Sequence, residues 1–301
     1  MFEAYDELLD AAIRHLRELR AQGEKWVAVS PAALAGLHPG PRLVAPPRSA
    51  IVIPQSARRG AVPGKSPSVP VPVPAPVPAG GAAPRPAALS ADAKVAAFLE
   101  LRERAATCCK CPHLASSRKN VVFGVGSINA TLMFVGEAPG ADEDQQGEPF
   151  VGKAGQLLTK IIQAMGLSRE SVYIANILKC RPDTPGQTAG NRKPTAEEMA
   201  TCIPFLHEQI DLIQPKVLVA LGATAVEGLL GKTVGITRLR GQWQSYRGTP
   251  LMPTYHPAYL LRNQAMSEKR KVWEDMLQVL ERLLLTVTEK QRNFFLKGNS
   301  G

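Results

Sequence analysis

The chain has 301 residues, 45% of them hydrophobic, which is enough for a buried core and excludes a chain disordered throughout. Its 36 Lys and Arg against 26 Asp and Glu leave a net charge of +10, a balance that suits a polyanionic partner because phosphate-bound cations release counterions. No apolar run approaches the roughly 18 residues of a membrane-spanning helix, and the N-terminus "MFEAYDELLD" is acidic rather than the basic start of a signal peptide; the expectation is a soluble, cytoplasmic protein with no membrane partner.

Residues 3–20 place Tyr5, Leu8, Leu9, Ala12, Ile13, Leu16 and Leu19 at helical spacing, so residues 1–30 read as an amphipathic helical segment with one apolar stripe. The stripe needs a partner, either the rest of the chain or another protein. Residues 31–92 turn to Pro, Ala, Val and Gly, culminating in "SVPVPVPAPVPAGGAAPRP". Alternating prolines lack amide donors and favour polyproline II, so this stretch is expected to be an extended, disordered linker.

From 93 to 285 strand-like and helix-like segments alternate: "TLMFVG" (131–136), a helix over 153–165, "VYIAN" (172–176), a helix over 195–213, "KVLVALG" (216–222), a short helix from 223, "PLMPTYHP", and a helix over 268–284. Near-continuous apolar strands separated by helices indicate an α/β three-layer sandwich around a central, mainly parallel sheet. Thr195 with Glu198 three residues later forms a capping-box signature for the 195–213 helix. Residues 286–301 are expected to form a C-terminal tail. Ligands of such sheets bind beyond the carboxyl ends of the strands, which points to the loops after 136, 176, 222 and 254.

Of the five cysteines, Cys108 and Cys111 form a C-x-x-C pair, Cys180 follows a strand in "ILKCRP", and Cys202 lies in the second turn of the capped helix. Four thiolates from three segments suit either zinc or an iron-sulfur cluster, and Cys109 is left over. At the strand ends stand the acidic loop "GEAPGADED", Phe150 in "GEPFVGKAG", Asn176 in "YIANILKCRP" and His256 in "TYHPAYLLR".

These motifs, in this order and with the four cysteines in place, resemble the iron-sulfur (family 4) uracil-DNA glycosylases over about residues 97–284. The resemblance implies a uracil-DNA glycosylase-like fold and a DNA-repair enzyme that flips uracil out of DNA and hydrolyses its N-glycosidic bond. It implies a [4Fe-4S] cluster on Cys108, Cys111, Cys180 and Cys202. Gly136, Glu137, Ala138, Pro139 and Gly140 would form the water-activating motif, with Glu143 closing the pocket near uracil C5. Phe150 would stack on the flipped base, Asn176 read its edge, and His256 lie against the carbonyl that gains charge; Glu137 and His256 are thus the catalytic candidates.

The chemistry supports those roles independently. An asparagine amide both donates and accepts, matching uracil O4 and N3–H, whereas cytosine presents the reverse pattern. Asp142 and Asp144 read as solvated loop charges. Arg118, Lys119, Lys153, Lys179, Arg181, Arg192, Lys193 and Arg262 are candidates for phosphate contacts, and Tyr259, Leu260 or Leu261 for a wedge into the vacated stack. The "DTPGQTA" stretch is longer than the family usually shows, and no histidine follows "KCRP", which favours turnover over covalent trapping of DNA. A non-catalytic or trapping uracil-DNA-binding protein is the alternative, and the enzyme is expected to act as a monomer on single- or double-stranded DNA.

Overall fold

The computed structural model describes residues 89–183, 192–231 and 235–296, together with the isolated Gln22. The expected N-terminal helix, nearly all of the Pro-rich linker and all but Asp183 of the long "DTPGQTA" stretch lie outside the described residues. The chain divides into two units, Met1–Pro72 and Val73–Gly301, and the architecture below is that of the second.

Its elements in chain order are α1 (Ala91–Ala106), α2 (Pro112–Ser117), β1 (Val125–Gly126), β2 (Leu132–Gly136), α3 (Ala141–Gln146), α4 (Lys153–Ala164) and β3 (Tyr173–Asn176). There follow α5 (Ala196–Ile213), β4 (Val217–Leu221), α6 (Ala223–Leu230), α7 (Ile236–Leu239), β5 (Gln244–Tyr246), β6 (Thr249–Thr254), α8 (Pro257–Arg262), α9 (Met266–Arg282) and α10 (Glu289–Arg292). One six-stranded sheet runs in the order β1-β3-β2-β4-β6-β5. The four inner strands are parallel and the two edges antiparallel, as the mainly parallel reading expected.

Alternate residues of each inner strand serve opposite layers, which is why the strands read as unbroken apolar runs. Met133 and Val135 of β2 pack with Leu206 and Ile210 of α5 and Val226 of α6. Leu132 and Phe134 face the other layer, with Leu158 and Ile162 of α4 and Trp273, Met276 and Leu280 of α9. The three-layer sandwich is therefore closed on both faces. Helix α5 starts as expected: Thr195 Oγ1 accepts from Glu198 N at 3.1 Å, and Thr195 N donates to Glu198 Oε2 at 2.8 Å.

Two parts of the chain differ from expectation. A helix, α1, begins at Ala91 with Ser90 as its cap, and inserts Leu101 and Ala105 into a small core with Phe123 and Phe205. The C-terminal stretch is docked as far as residue 296 rather than forming a tail: Trp273 Nε1 donates to Gln291 O at 2.5 Å, Gln291 Nε2 donates to Ala164 O at 2.8 Å, and the Phe294 ring lies tilted against Trp273 with centroids 5.2 Å apart. Among the described residues no helix is long and apolar enough to cross a membrane.

The order of the parallel strands reverses at β2, which has β3 on one side and β4 on the other. Beyond their carboxyl ends a crevice must open.

Candidate active site

The loops leaving β2, β3, β4 and β6 meet over that crevice, and register brings two site residues together directly. Gly136 and Asn176 are partners on adjacent parallel strands, and Ile177 N donates to Gly136 O at 3.0 Å. A Cβ at Gly136 would stand 2.3 Å from Asn176 Oδ1 and 2.6 Å from Phe150 Cζ. Glycine at 136 is what lets the amide and the ring close on the same point. Asn176 is 2% exposed, and its Oδ1 is buried with no hydrogen-bond partner, alone in this among the described side-chain atoms. A buried acceptor left unpaired costs roughly 1–3 kcal/mol; such an atom at a strand end calls for a donor from outside the protein.

Phe150 forms the adjoining wall. Its backbone is left-handed, at φ 56°, a conformation that costs a residue with a Cβ about 1–3 kcal/mol and that clusters at ligand sites. Two features enforce it. A Cβ at Gly155 in α4 would lie 1.8 Å from the Phe150 carbonyl oxygen, so the helix must be bare there. Arg169 donates to Phe150 O at 3.1 Å and to Pro149 O at 2.7 Å. Glu143 completes the frame: Oε2 accepts from Gly140 N at 3.1 Å, and Oε1 accepts from Val151 N and Gly152 N, each at 3.0 Å. Its carboxylate is spent on backbone amides, tying the acidic loop to the Phe150 loop, while Ala138 packs against the core beside α5 and α6.

His256 stands opposite, its ring stacked on Phe150 with centroids 5.7 Å apart. Gly222, at φ 93°, makes room, since a Cβ there would lie 2.9 Å from His256 Cβ. His256 Nδ1 accepts from Ala258 N at 3.1 Å, which leaves the proton of the neutral ring on Nε2. Burial, helped by Arg262 and opposed by Glu143, pulls the imidazole down to about 4; the ring is a neutral donor near pH 7. Glu137 follows Gly136, and its carboxyl is pushed up by burial, against the lowering effects of the Thr224 hydroxyl and Lys193. The site thus offers a ring wall, an unfilled acceptor, a neutral N–H donor and a basic carboxylate.

The thiols of Cys108, Cys111, Cys180 and Cys202 line one small cavity with Leu114, Arg118, Leu178 and Thr201. Arg118 Nη1 donates to Cys180 Sγ at 3.2 Å and to Cys108 O at 2.7 Å, and Lys179 N donates to Cys202 Sγ at 3.3 Å. Among the described residues no set of three or more His, Cys, Asp or Glu side chains is arranged to hold a single metal ion. Cys109 is exposed.

Residues 123–277 match the model of the uracil DNA glycosylase superfamily. The chain is 48% identical to the type-4 uracil-DNA glycosylase of Thermotoga maritima, over 58% of this chain and 88% of the relative. It is 38% identical to that of Sulfurisphaera tokodaii, over 67% of this chain and 91% of the relative, and 41% identical to that of Pyrobaculum aerophilum, over 56% and 86%. The chain belongs to the type-4 uracil-DNA glycosylases.

In this type-4 glycosylase several charged residues do other work than their sequence context suggests. Asp144 is 3% exposed rather than solvated; its Oδ1 accepts from Lys119 N at 2.9 Å and Asn120 N at 3.3 Å, pinning that segment to α3. Asp142 is exposed, as expected. Lys179 is buried and bonds inside the protein, so it is no phosphate contact. Arg192 pairs with buried Glu198, and Arg118 faces the cysteine cavity. Lys153 and Arg262 remain exposed beside the pocket loops. Of the wedge candidates Leu260 is 5% exposed and Tyr259 is tied to Glu268, leaving Leu261, 38% exposed. Arg169 was missed altogether, because a single arginine in a turn carries no pattern.

Proposed function

We propose that the chain excises uracil from DNA, hydrolysing the bond between base and deoxyribose to leave free uracil and an abasic site. The observation that carries this reading is the unpaired Asn176 Oδ1 between Gly136 and the Phe150 ring. Uracil N3–H is the donor it lacks, while cytosine offers a bare N3 there and would leave two acceptors facing each other. The base must leave the stack to reach this point, with Leu261 filling the gap from the end of α8 and exposed Lys153 and Arg262 steering phosphates.

Once the base lies on Phe150, His256 Nε2–H donates to the carbonyl that gains charge as the bond opens. A neutral donor fixed in place before reaction is worth about 3–4 kcal/mol, or 100- to 1000-fold in rate. Glu137 stabilises the cationic sugar and takes a proton from the attacking water, whose oxygen bonds to the sugar carbon while the uracil anion departs and is then protonated. Glu143 holds the turn that excludes a methyl at uracil C5, and Ala138 and Gly140 keep that turn close.

Cys108, Cys111, Cys180 and Cys202 would hold the [4Fe-4S] cluster. Support comes from the shared cavity, the cationic Arg118 on its wall and the N–H donors aimed at Cys180 and Cys202, which suit thiolate sulfur. A cluster needs a wider setting of its ligands than one metal ion does. When bound, it ties three chain segments together beside the pocket without supplying electrons to the hydrolysis.

The test is incubation of anaerobically purified protein with a single-uracil oligonucleotide, alkali cleavage and a denaturing gel, beside thymine and cytosine controls. Cleavage only with uracil is expected, and Asn176→Ala and His256→Ala should each slow it by about 100-fold or more. Intact strands, or near-normal rates in both variants, would overturn the reading; a heat-stable shifted band would mean trapping instead.

A further inference from the structure

Lys179 is 2% exposed, and among the described residues no carboxylate is bonded to it. Its Nζ turns back along its own loop to donate to Asn176 O at 2.9 Å, and to Gln209 Oε1 of α5 at 2.7 Å. Gln209 is itself fully buried and held from two sides, its Nε2 donating to Phe123 O at 2.9 Å and Tyr173 OH at 3.0 Å. The Phe123 ring lies 5.9 Å from the ammonium. The Lys179 backbone is fixed as well: Val122 N donates to Lys179 O at 2.7 Å, and Lys179 N donates to Cys202 Sγ.

A buried ammonium is costly to keep even beside the Cys202 thiol, which favours its charge, and a methionine of similar length would pack the same space without that cost. The charge therefore needs a use beyond filling space. The only main-chain carbonyl among its bonded partners belongs to Asn176, the residue whose side chain carries the unpaired acceptor.

We propose that Lys179 is a positioning residue for uracil: through the Asn176 carbonyl it fixes the peptide that aims Asn176 Oδ1, and Gln209 in turn fixes Lys179. The inference rests on the reading of Asn176 as the base reader. Position at this level matters, since a displacement of about 1 Å at a reacting centre costs on the order of 100-fold in rate.

The experiment is single-turnover excision of uracil, with rate and half-saturation measured separately, for Lys179→Met, Asn176→Ala and the double variant, each normalised to bound iron and to folded fraction by thermal melting. Lys179→Met is expected to lower the maximal single-turnover rate by about 10- to 100-fold with half-saturation for DNA little changed, and to cost almost nothing further in the Asn176→Ala background. Equal losses in both backgrounds, or a loss that vanishes on normalisation to iron and folded protein, would overturn the inference while leaving Asn176 as the reader. A near-normal Asn176→Ala would overturn the reading and the inference together. If Lys179→Met does not fold, Gln209→Leu, which removes the second anchor of the ammonium, is put through the same cycle with the same expectation and the same two overturning results.

Discussion

At Gly136 the absence of a side chain decides whether a pocket exists. Asn176 Oδ1 and the Phe150 ring edge both occupy the volume an alanine methyl would need, and neither can retreat, since Asn176 is in the sheet and Phe150 is pinned by Arg169. Gly136→Ala is expected to reduce excision by at least about 100-fold while costing about 1–3 kcal/mol of stability, the usual toll of overpacking; paired activity and denaturant-melt measurements check both. In the proposed mechanism the pH behaviour follows from two groups with opposite duties. His256 must be neutral and its ring stays so down to about pH 4, so it sets no limit in mild acid. Glu137 must be ionised, and burial raises its value above the ordinary carboxylate range. The acid limb of the single-turnover rate should therefore belong to Glu137 and disappear from the residual rate of Glu137→Gln. His256 leaves its mark on stability instead: its folded value lies below the ordinary 6.5, so charging it opposes folding. The stability it contributes is present above about pH 6.5 and is lost as pH falls towards 4. His256→Asn should flatten that slope in thermal melts.

Elements were legible in proportion to the strength of their local pattern. The inner strands announce themselves because both faces are buried, and Thr195 with Glu198 marks the start of α5 before any contact is known. Helix α1 is harder to see: Phe98, Leu101 and Ala105 share a face, but the surrounding alanines and charges dilute the stripe. Strands β1 and β5 have two and three residues and no period to detect. The candidates Glu137, Phe150, Asn176 and His256 were legible as a group because topology sends the loops that follow the strands to one crevice. Asp144 and Lys179 could not, for Asp144 bonds Lys119, 25 residues away, and Lys179 reaches Gln209, 30 residues away, as well as its own loop, and nothing in the sequence nearby distinguishes a buried charge from a surface one. The docked C-terminal segment is a further case, and its removal is informative. Deleting the chain after Val287 exposes the indole of Trp273 and discards the Phe294 contact, so a loss of about 2 kcal/mol and a melting temperature several degrees lower are expected. Excision at 25 °C should persist, because the bonds lost, from Gln291 to Ala164 O of α4 and from Trp273 of α9 to Gln291 O, do not involve Phe150, Asn176 or His256.

For the whole molecule, charge and site are separate matters. A net charge of +10 favours a polyanion, yet Lys179, Arg118, Arg169, Arg192 and Arg240 are engaged within the protein, so fewer cations face DNA than the sequence suggests. Excision should weaken with added salt less steeply than the full count would give. Deleting residues 1–88 is expected to leave excision of a short oligonucleotide largely intact, and assay of the truncated chain decides whether that segment belongs to the catalytic body. The clamp of Arg169 on Pro149 and Phe150 has a kinetic consequence. A ring seat braced from behind needs no closing motion when the base arrives, so little of the binding energy goes into reorganisation. If Phe150, Asn176 and His256 act as proposed, the same readiness serves the product: once the sugar bond is gone, free uracil still finds its platform, its acceptor and its donor in place. Departure of the base is then expected to be slow relative to a site that springs open, so added free uracil should compete with the next damaged strand.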